Sequence, residues 1–226
     1  MSEHATEKDV LSQIEHIWET QQKNILIAVS AIVVIIGGWY SYNEFIKKPK
    51  EEKASELLYR VENYFSIDSS RIVIEGDGLN KGALYIISNY GGTKAANLAH
   101  FYAGVSYLKL GQFKKAAEHL KDFSTGAKQI QMIAYGDLAD AYSELNQKDD
   151  ALSYYKKAAS VFEVDEANSA EYLFRAALLA ESMGKKSDAL DLYKSIKEKF
   201  PNSTKAQLVD KYIYRLSIEK NNLSID

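Results

Sequence analysis

The chain is predicted to be all-α, a single N-terminal transmembrane helix followed by an α-solenoid of antiparallel helix pairs. Two observations predict it. An uncharged run, NILIAVSAIVVIIGGWYSYN, occupies residues 24–43 ahead of a polar remainder. That remainder is patterned for helices and repeats itself, from Gly104 to Ala139 and again to Ala177.

The leader comes first. Within DVLSQIEHIWETQQ, Val10, Ile14, Ile17 and Trp18 fall on one helical face, and Thr6 and Asp9 have capping-box spacing. The uncharged run is 20 residues long, which at roughly 1.5 Å of rise per residue matches the hydrocarbon thickness of a bilayer. A secretory signal peptide would open on a short basic region and end on a small-x-small cleavage site. Here an acidic leader (Glu3, Glu7, Asp9, Glu15, Glu19) precedes the run and Gly37-Gly38-Trp39-Tyr40-Ser41-Tyr42 closes it, so the segment is expected to stay uncleaved. Trp18 on one side and Trp39, Tyr40 and Tyr42 on the other suit an aromatic belt at each interface. The expected organisation is a leader over 1–23, a spanning helix over 24–46 and a repeat domain over 47–226. Lys47, Lys48 and Lys50 can snorkel at the end of the span, and Pro49 predicts a kink or a fresh helix start.

The polar remainder is large enough for one core. A net charge of −3 advertises no nucleic-acid partner, and the absence of cysteine excludes disulfides and thiol chemistry. Glu51 to Phe65 reads as a helix with Ala54, Leu57, Leu58, Val61 and Phe65 on one face, and Asn80 to Asn89 as another, with a turn at Glu75-Gly76-Asp77-Gly78 between them. Three hairpins follow: HFYAGVSYLKLGQFKKAAEHL, YGDLADAYSELNQKDDALSYY and LFRAALLAESMGKKSDALDLY. In each, a small residue on the first helix (Gly104, Ala139, Ala177) meets a small one on the second (Ala116, Ala151, Ala189), which lets the two approach closely. Tyr107, Tyr142, Tyr155 and Tyr193 fill the space between hairpins. Phe200-Pro201 ends the third unit, and Tyr90-Gly91-Gly92-Thr93-Lys94-Ala95 echoes the stretch that follows it. A last helix over about 204–224, with Leu208, Val209, Tyr212, Ile213 and Leu216, is expected to cap the stack.

Periods of this size mean stacked helix pairs. The small–aromatic–Gly–Ala–aromatic–Pro pattern resembles the tetratricopeptide repeat, with departures at Asn146, Ala180 and Lys128. The layout as a whole is similar to the ancillary Sec-translocon subunit family, through HIWETQQKNILIAVSAIVVIIGGWYSYNEF and the SRIVIEGDG and NYGGTKAANLAHFYAGVSYLKLGQF segments. That resemblance implies a bacterial inner-membrane protein with a cytoplasmic leader and a periplasmic repeat domain. Its implied partners are Sec translocon subunits, exported polypeptides or periplasmic chaperones, and its implied role is to help newly exported chains. A second reading is an adaptor of another envelope machine, such as one coordinating cell-wall synthesis with division. Lys47, Lys48, Lys50 and Lys53 follow the span while only Lys8 and Lys23 precede it, which by local count argues for the opposite orientation. Large domains translocate largely regardless of charge, so the family topology is the one expected.

Signals of catalysis are scarce, and neither enzyme activity, a cofactor, a metal nor a small-molecule substrate is expected. Of the four histidines, His4, His16, His100 and His119, no pair has metal-ligand spacing with a carboxylate, and His100 reads as a packed or groove-lining residue. The family's inward-facing positions carry over to Leu98, Phe101, Val105, Leu108 and Lys109, to Asp140, Ser143 and Glu144, and to Phe174, Leu178 and Glu181. An apolar wall beside acidic groups would suit a peptide with apolar and basic residues. Phe101, Val105 and Phe174 would equally suit a core.

Overall fold

A computed structural model describes residues 3–222 of the chain, with side chains from 18 to 218. The chain divides into two compact units, residues 1–52 and 53–226. In the first, helix α1 (Glu3–Tyr42) runs unbroken through leader and apolar run. It is already formed at Glu3, ahead of the capping pair expected at Thr6 and Asp9. The stripe of Val10, Ile14 and Ile17 lies outside the residues with described side chains. From 18 to 47 no side chain is buried, and the chain has one helix here long and apolar enough to cross a membrane.

At Pro49 the helix widens instead of breaking. Residues Asn43–Lys47 wind as a π-helix, and α2 (Lys48–Ser66) continues directly from it. Proline offers no N–H to the carbonyl four residues back and its ring crowds that carbonyl, and one wide turn relieves both without a break.

In the second unit Ala54, Leu58 and Val61 of α2 are buried, with Leu57 and Phe65 packed beside them. Two short helices follow, α3 (Ser70–Glu75) and α4 (Ala83–Asn89). The expected turn lies between them, where Gly76 and Lys81 form an isolated bridge. The short helix α3 buries Val73 and Ile74.

Three hairpins come next: α5 (Lys94–Lys109) with α6 (Phe113–Asp122), α7 (Lys128–Glu144) with α8 (Lys148–Val161), and α9 (Glu166–Ser182) with α10 (Lys186–Lys199). All three close by one device. The N–H of Gln112, Gln147 and Lys185 bonds the carbonyl of Tyr107, Tyr142 and Ala180 five residues back, at 2.9 Å each. The residue just before each of these donors, Gly111, Asn146 or Gly184, has positive φ (70°, 57°, 74°). This is a Schellman cap, and asparagine is the side chain that best substitutes for glycine in it. The departure at Asn146 therefore preserves the turn.

The small residues sit where hairpins cross. A Cβ on Gly104 would come within 2.6 Å of Leu120, and Ala116, Ala139, Ala151, Ala177 and Ala189 are fully buried. The echo between residues 90–95 and 200–206 is structural as well. Thr93 and Ser203 both cap a helix, accepting from Ala96 N and Ala206 N at 3.0 and 3.1 Å and donating to Tyr90 O and Phe200 O.

The expected last helix is divided at Val209 into α11 (Thr204–Leu208) and α12 (Asp210–Asn222), and residues 223 and 224 lie outside the described residues. Val209 and Leu216 are buried against the third hairpin. The core consists of two adjoining clusters, one centred on α2–α6 and one on α8–α12. Tyr142 and Tyr154, whose rings stack at 5.5 Å, pack against both.

Candidate partner-binding groove

The first helix of each hairpin presents a face at i, i+3, i+4 and i+7 spacing. On α5 this gives Leu98, Phe101, Leu108 and Lys109; the first three are partly buried and Lys109 is exposed. Phe101 leans on Phe123 and Tyr102, with ring centroids at 5.1 and 5.6 Å. Lys109 pairs with Asp68 at 2.6 Å, beside an open pocket of about 590 Å³ lined by Asp68 to Ile72.

Two expected contact residues belong to the core instead. Val105 is 9 % exposed and Phe174 is 6 % exposed. Phe174 lies against Tyr193 and Tyr212, at 5.8 and 5.4 Å, with Lys205 Nζ 4.5 Å above its ring. The C-terminal elements α11 and α12 cover this position, a closure that spacing within α9 does not reveal. Leu178 stays exposed, as does Glu144, and Ser143 is partly exposed.

The acidic members, Asp140 and Glu181, are engaged in two clasps of the same composition. Asp140 accepts the Tyr155 hydroxyl and, through both oxygens, Arg175 Nη1 at 3.1 Å. Glu181 accepts the Tyr193 hydroxyl at 3.3 Å and Arg215 Nη2 at 2.6 Å. Each carboxylate thus ties the second helix of its own hairpin to an arginine of a later helix. Burial, and after it the neighbouring carboxylate, pushes both tyrosine hydroxyls well above their ordinary pKa, so both remain donors. Both arginines are more than two-fifths exposed, so each ion pair contributes about 1 kcal/mol or less.

Sequence spacing missed one groove residue. Asp137 lies between Ile133 and Asp140 on the groove face of α7 and makes no hydrogen bond or ion pair with the described residues. Burial, reinforced by Asp140 and countered by Arg175 and Lys109, pushes its carboxyl up to about 7. The approach of α9 explains the burial. A Cβ on Gly136 would stand 2.2 Å from the Tyr172 ring, so glycine lets α9 come in beside Asp137. Tyr172 is pushed up to about 12 by burial and then by Asp137. A glycine in mid-helix, next to a carboxylate, was the signal available.

His100 and His119 are paired inside the first hairpin, Nδ1 to Nδ1 at 3.1 Å, with His119 stacked on Tyr107. No group of three or more potential metal ligands occurs among the described residues.

Antiparallel helix pairs stacked in register, with polar and apolar side chains along the first-helix face, define an α-helical repeat scaffold of the kind that binds other proteins. The family model described as tetratricopeptide repeat-like domain matches residues 15–171, and a second, tetratricopeptide repeat, matches 171–203. The chain belongs to the tetratricopeptide repeat-like domain family. It is also similar to the transcription activator GutR of Bacillus subtilis (strain 168), at 31 % identity over 109 residues. That likeness covers 40 % of this chain and only 13 % of GutR's length, so GutR's activity is not carried over.

Proposed function

We propose that this protein is a membrane-anchored tetratricopeptide scaffold that binds proteins at the Sec translocon and assists newly exported chains. In this reading the leader is cytoplasmic and the repeat domain periplasmic in a bacterial inner membrane. Its partners are translocon subunits, exported polypeptides or periplasmic chaperones. The observation that carries it is the order of parts: a leader and one apolar helix, then a repeat domain with a polar and apolar face along α5, α7 and α9. Leu98, Phe101, Leu108, Ser143, Glu144 and Leu178 supply accessible contacts on that face. Val105 and Phe174 support it from beneath. The arrangement needs no catalytic group, since its work is to hold chains.

Photo-crosslinkers placed in the spanning helix and at Leu178, in native membranes, test the reading. Translocon subunits and exported chains are the expected products. Products dominated by cell-wall or division proteins would overturn it in favour of an adaptor of that machinery. Protease added to spheroplasts should digest the repeat domain; full protection would reverse the orientation.

A further inference from the structure

We propose that His100 and His119 form a two-histidine clip for a single late transition-metal ion, Zn(II) or Cu(II), held between α5 and α6 by the two Nδ1 atoms. The site lies within the first hairpin and is independent of what the groove binds.

The two residues stand 19 apart in the chain, and the hairpin brings them together. Their separation follows from how closely the helices cross. Gly104 lies four residues after His100 on α5, and Leu120 directly follows His119 on α6. A Cβ on Gly104 would come within 2.6 Å of Leu120, so glycine is what lets the helices meet beside the pair. The His119 ring is also braced from one side. It stacks on Tyr107 at 5.5 Å and 10°, and Lys115 Nζ sits 5.1 Å from the centre of the same Tyr107 ring.

The decisive geometry is the Nδ1 to Nδ1 distance of 3.1 Å. Two bonds of roughly 2.0–2.1 Å from one ion, meeting at a right or tetrahedral angle, hold their nitrogens about 2.8–3.4 Å apart. The two nitrogens therefore already stand at the spacing of neighbouring ligands on one ion. Without metal, the same spacing accommodates a single N–H···N bond. Both rings are partly exposed, so an ion can enter and water can fill its remaining positions. Since no third potential ligand joins the pair among the described residues, the site is an open one with two protein ligands.

The donors select the ion. Imidazole nitrogen suits zinc, nickel and copper, with Cu(II) the tightest of the divalent series, whereas magnesium and calcium require oxygen ligands. Neutral imidazole is the ligating form. Burial, joined at His119 by His100, lowers the pKa of both rings and keeps them neutral near pH 7. Asp122 is the carboxylate that acts on both rings; at His119 Glu118 adds to it and Lys115 opposes it. The ion takes the place of the shared hydrogen, which moves through solvent from Nδ1 to Nε2 of its own ring. A neutral pair thus binds metal without releasing a proton, and the ion cross-links the two helices of the first hairpin.

The chain holds four histidines, so a His4→Gln, His16→Gln background in detergent micelles leaves this pair as its only ones. Competition with a fluorescent zinc chelator should show one Zn(II) per chain, and electron paramagnetic resonance of the Cu(II)-loaded protein should show two nitrogen ligands. In that background His100→Gln and His119→Gln should each weaken Zn(II) binding about a hundredfold, the loss expected when one of two linked ligands is removed. Zn(II) at a hundredfold excess over its Kd should raise the circular-dichroism melting midpoint of the background by about 5 °C, and should leave either variant unchanged. The clip is overturned if the background binds neither ion, if both substitutions leave the affinity as it was, if the urea-unfolded chain binds Zn(II) equally well, or if Mg(II) competes equally. Where a glutamine variant fails to fold, the Cu(II) spectrum of the folded background decides: two nitrogens uphold the clip, and one or none sinks it.

Discussion

The first hairpin and the junction between the second and third each enclose titratable groups that fold against their preferred charge state, and they do so with opposite sign. In the first hairpin, burial lowers the pKa of His100, while His119 is lowered by burial and then by His100 itself. The Nδ1 pair needs one donor and one acceptor, so protonating both rings breaks it. At the junction, burial raises Asp137 to about 7, far above an ordinary aspartate. For the histidines the folded state prefers the neutral form, so their contribution is present above about pH 6.5, the unfolded value, and is lost as pH falls. For Asp137 the folded state also prefers the neutral form, which for an acid is the protonated one. Its contribution is full below about pH 4 and is lost as pH rises through 7. Two neighbouring parts of one solenoid are thereby weakened at opposite ends of the pH scale, and the difference lies in which side chain was buried rather than in the fold.

The largest way to sharpen this contrast is to show that the third hairpin, unlike the first, depends on a closed aromatic core. Phe174→Ala should cost ~3–5 kcal/mol, because it empties a site enclosed by Tyr193 and Tyr212. Phe101→Ala, at a partly exposed ring, should cost clearly less. Circular-dichroism melts of the full chain in micelles compare them, and equal losses would erase the distinction between core and groove.

Next in size is the junction itself. Asp137→Asn should stabilise the domain by roughly 1–3 kcal/mol at pH 8 and leave it almost unchanged at pH 4, the range being discounted for partial solvent contact. A variant destabilised at pH 8 would mean that the ionised carboxylate is already well satisfied.

The smallest effect belongs to the histidines. His119→Gln should remove part of the stability that the wild type loses between pH 7 and pH 5, because burial and His100 lower the pKa of His119. Melts that keep the wild-type acid slope would place the sensitive groups elsewhere.

Much of this was legible in the sequence, for a physical reason. Helix pairs, crossing residues and turns are local features, and the identities of Gly104, Ala139, Ala151 and Ala189 report how closely two neighbouring helices must pass. The burial of Phe174 and Asp137 is not local. Phe174 is covered by Tyr212 from an element that reads as a mere end cap, and Asp137 is desolvated by the approach of α9, more than 30 residues further on. Nor does spacing reveal that Asp140 and Glu181, read as groove contacts, are already engaged by Tyr155 with Arg175 and by Tyr193 with Arg215.

The Schellman turns at Gly111, Asn146 and Gly184 also bear on how the chain is made. Each joins helices adjacent in sequence, and the closest packing in the domain is between those same neighbours, α5 with α6, α7 with α8 and α9 with α10. Contacts that span so little sequence form quickly, and a solenoid can propagate from any finished unit. A chain made from one end can therefore complete one hairpin before the next has been synthesised. Its folding can keep pace with its synthesis.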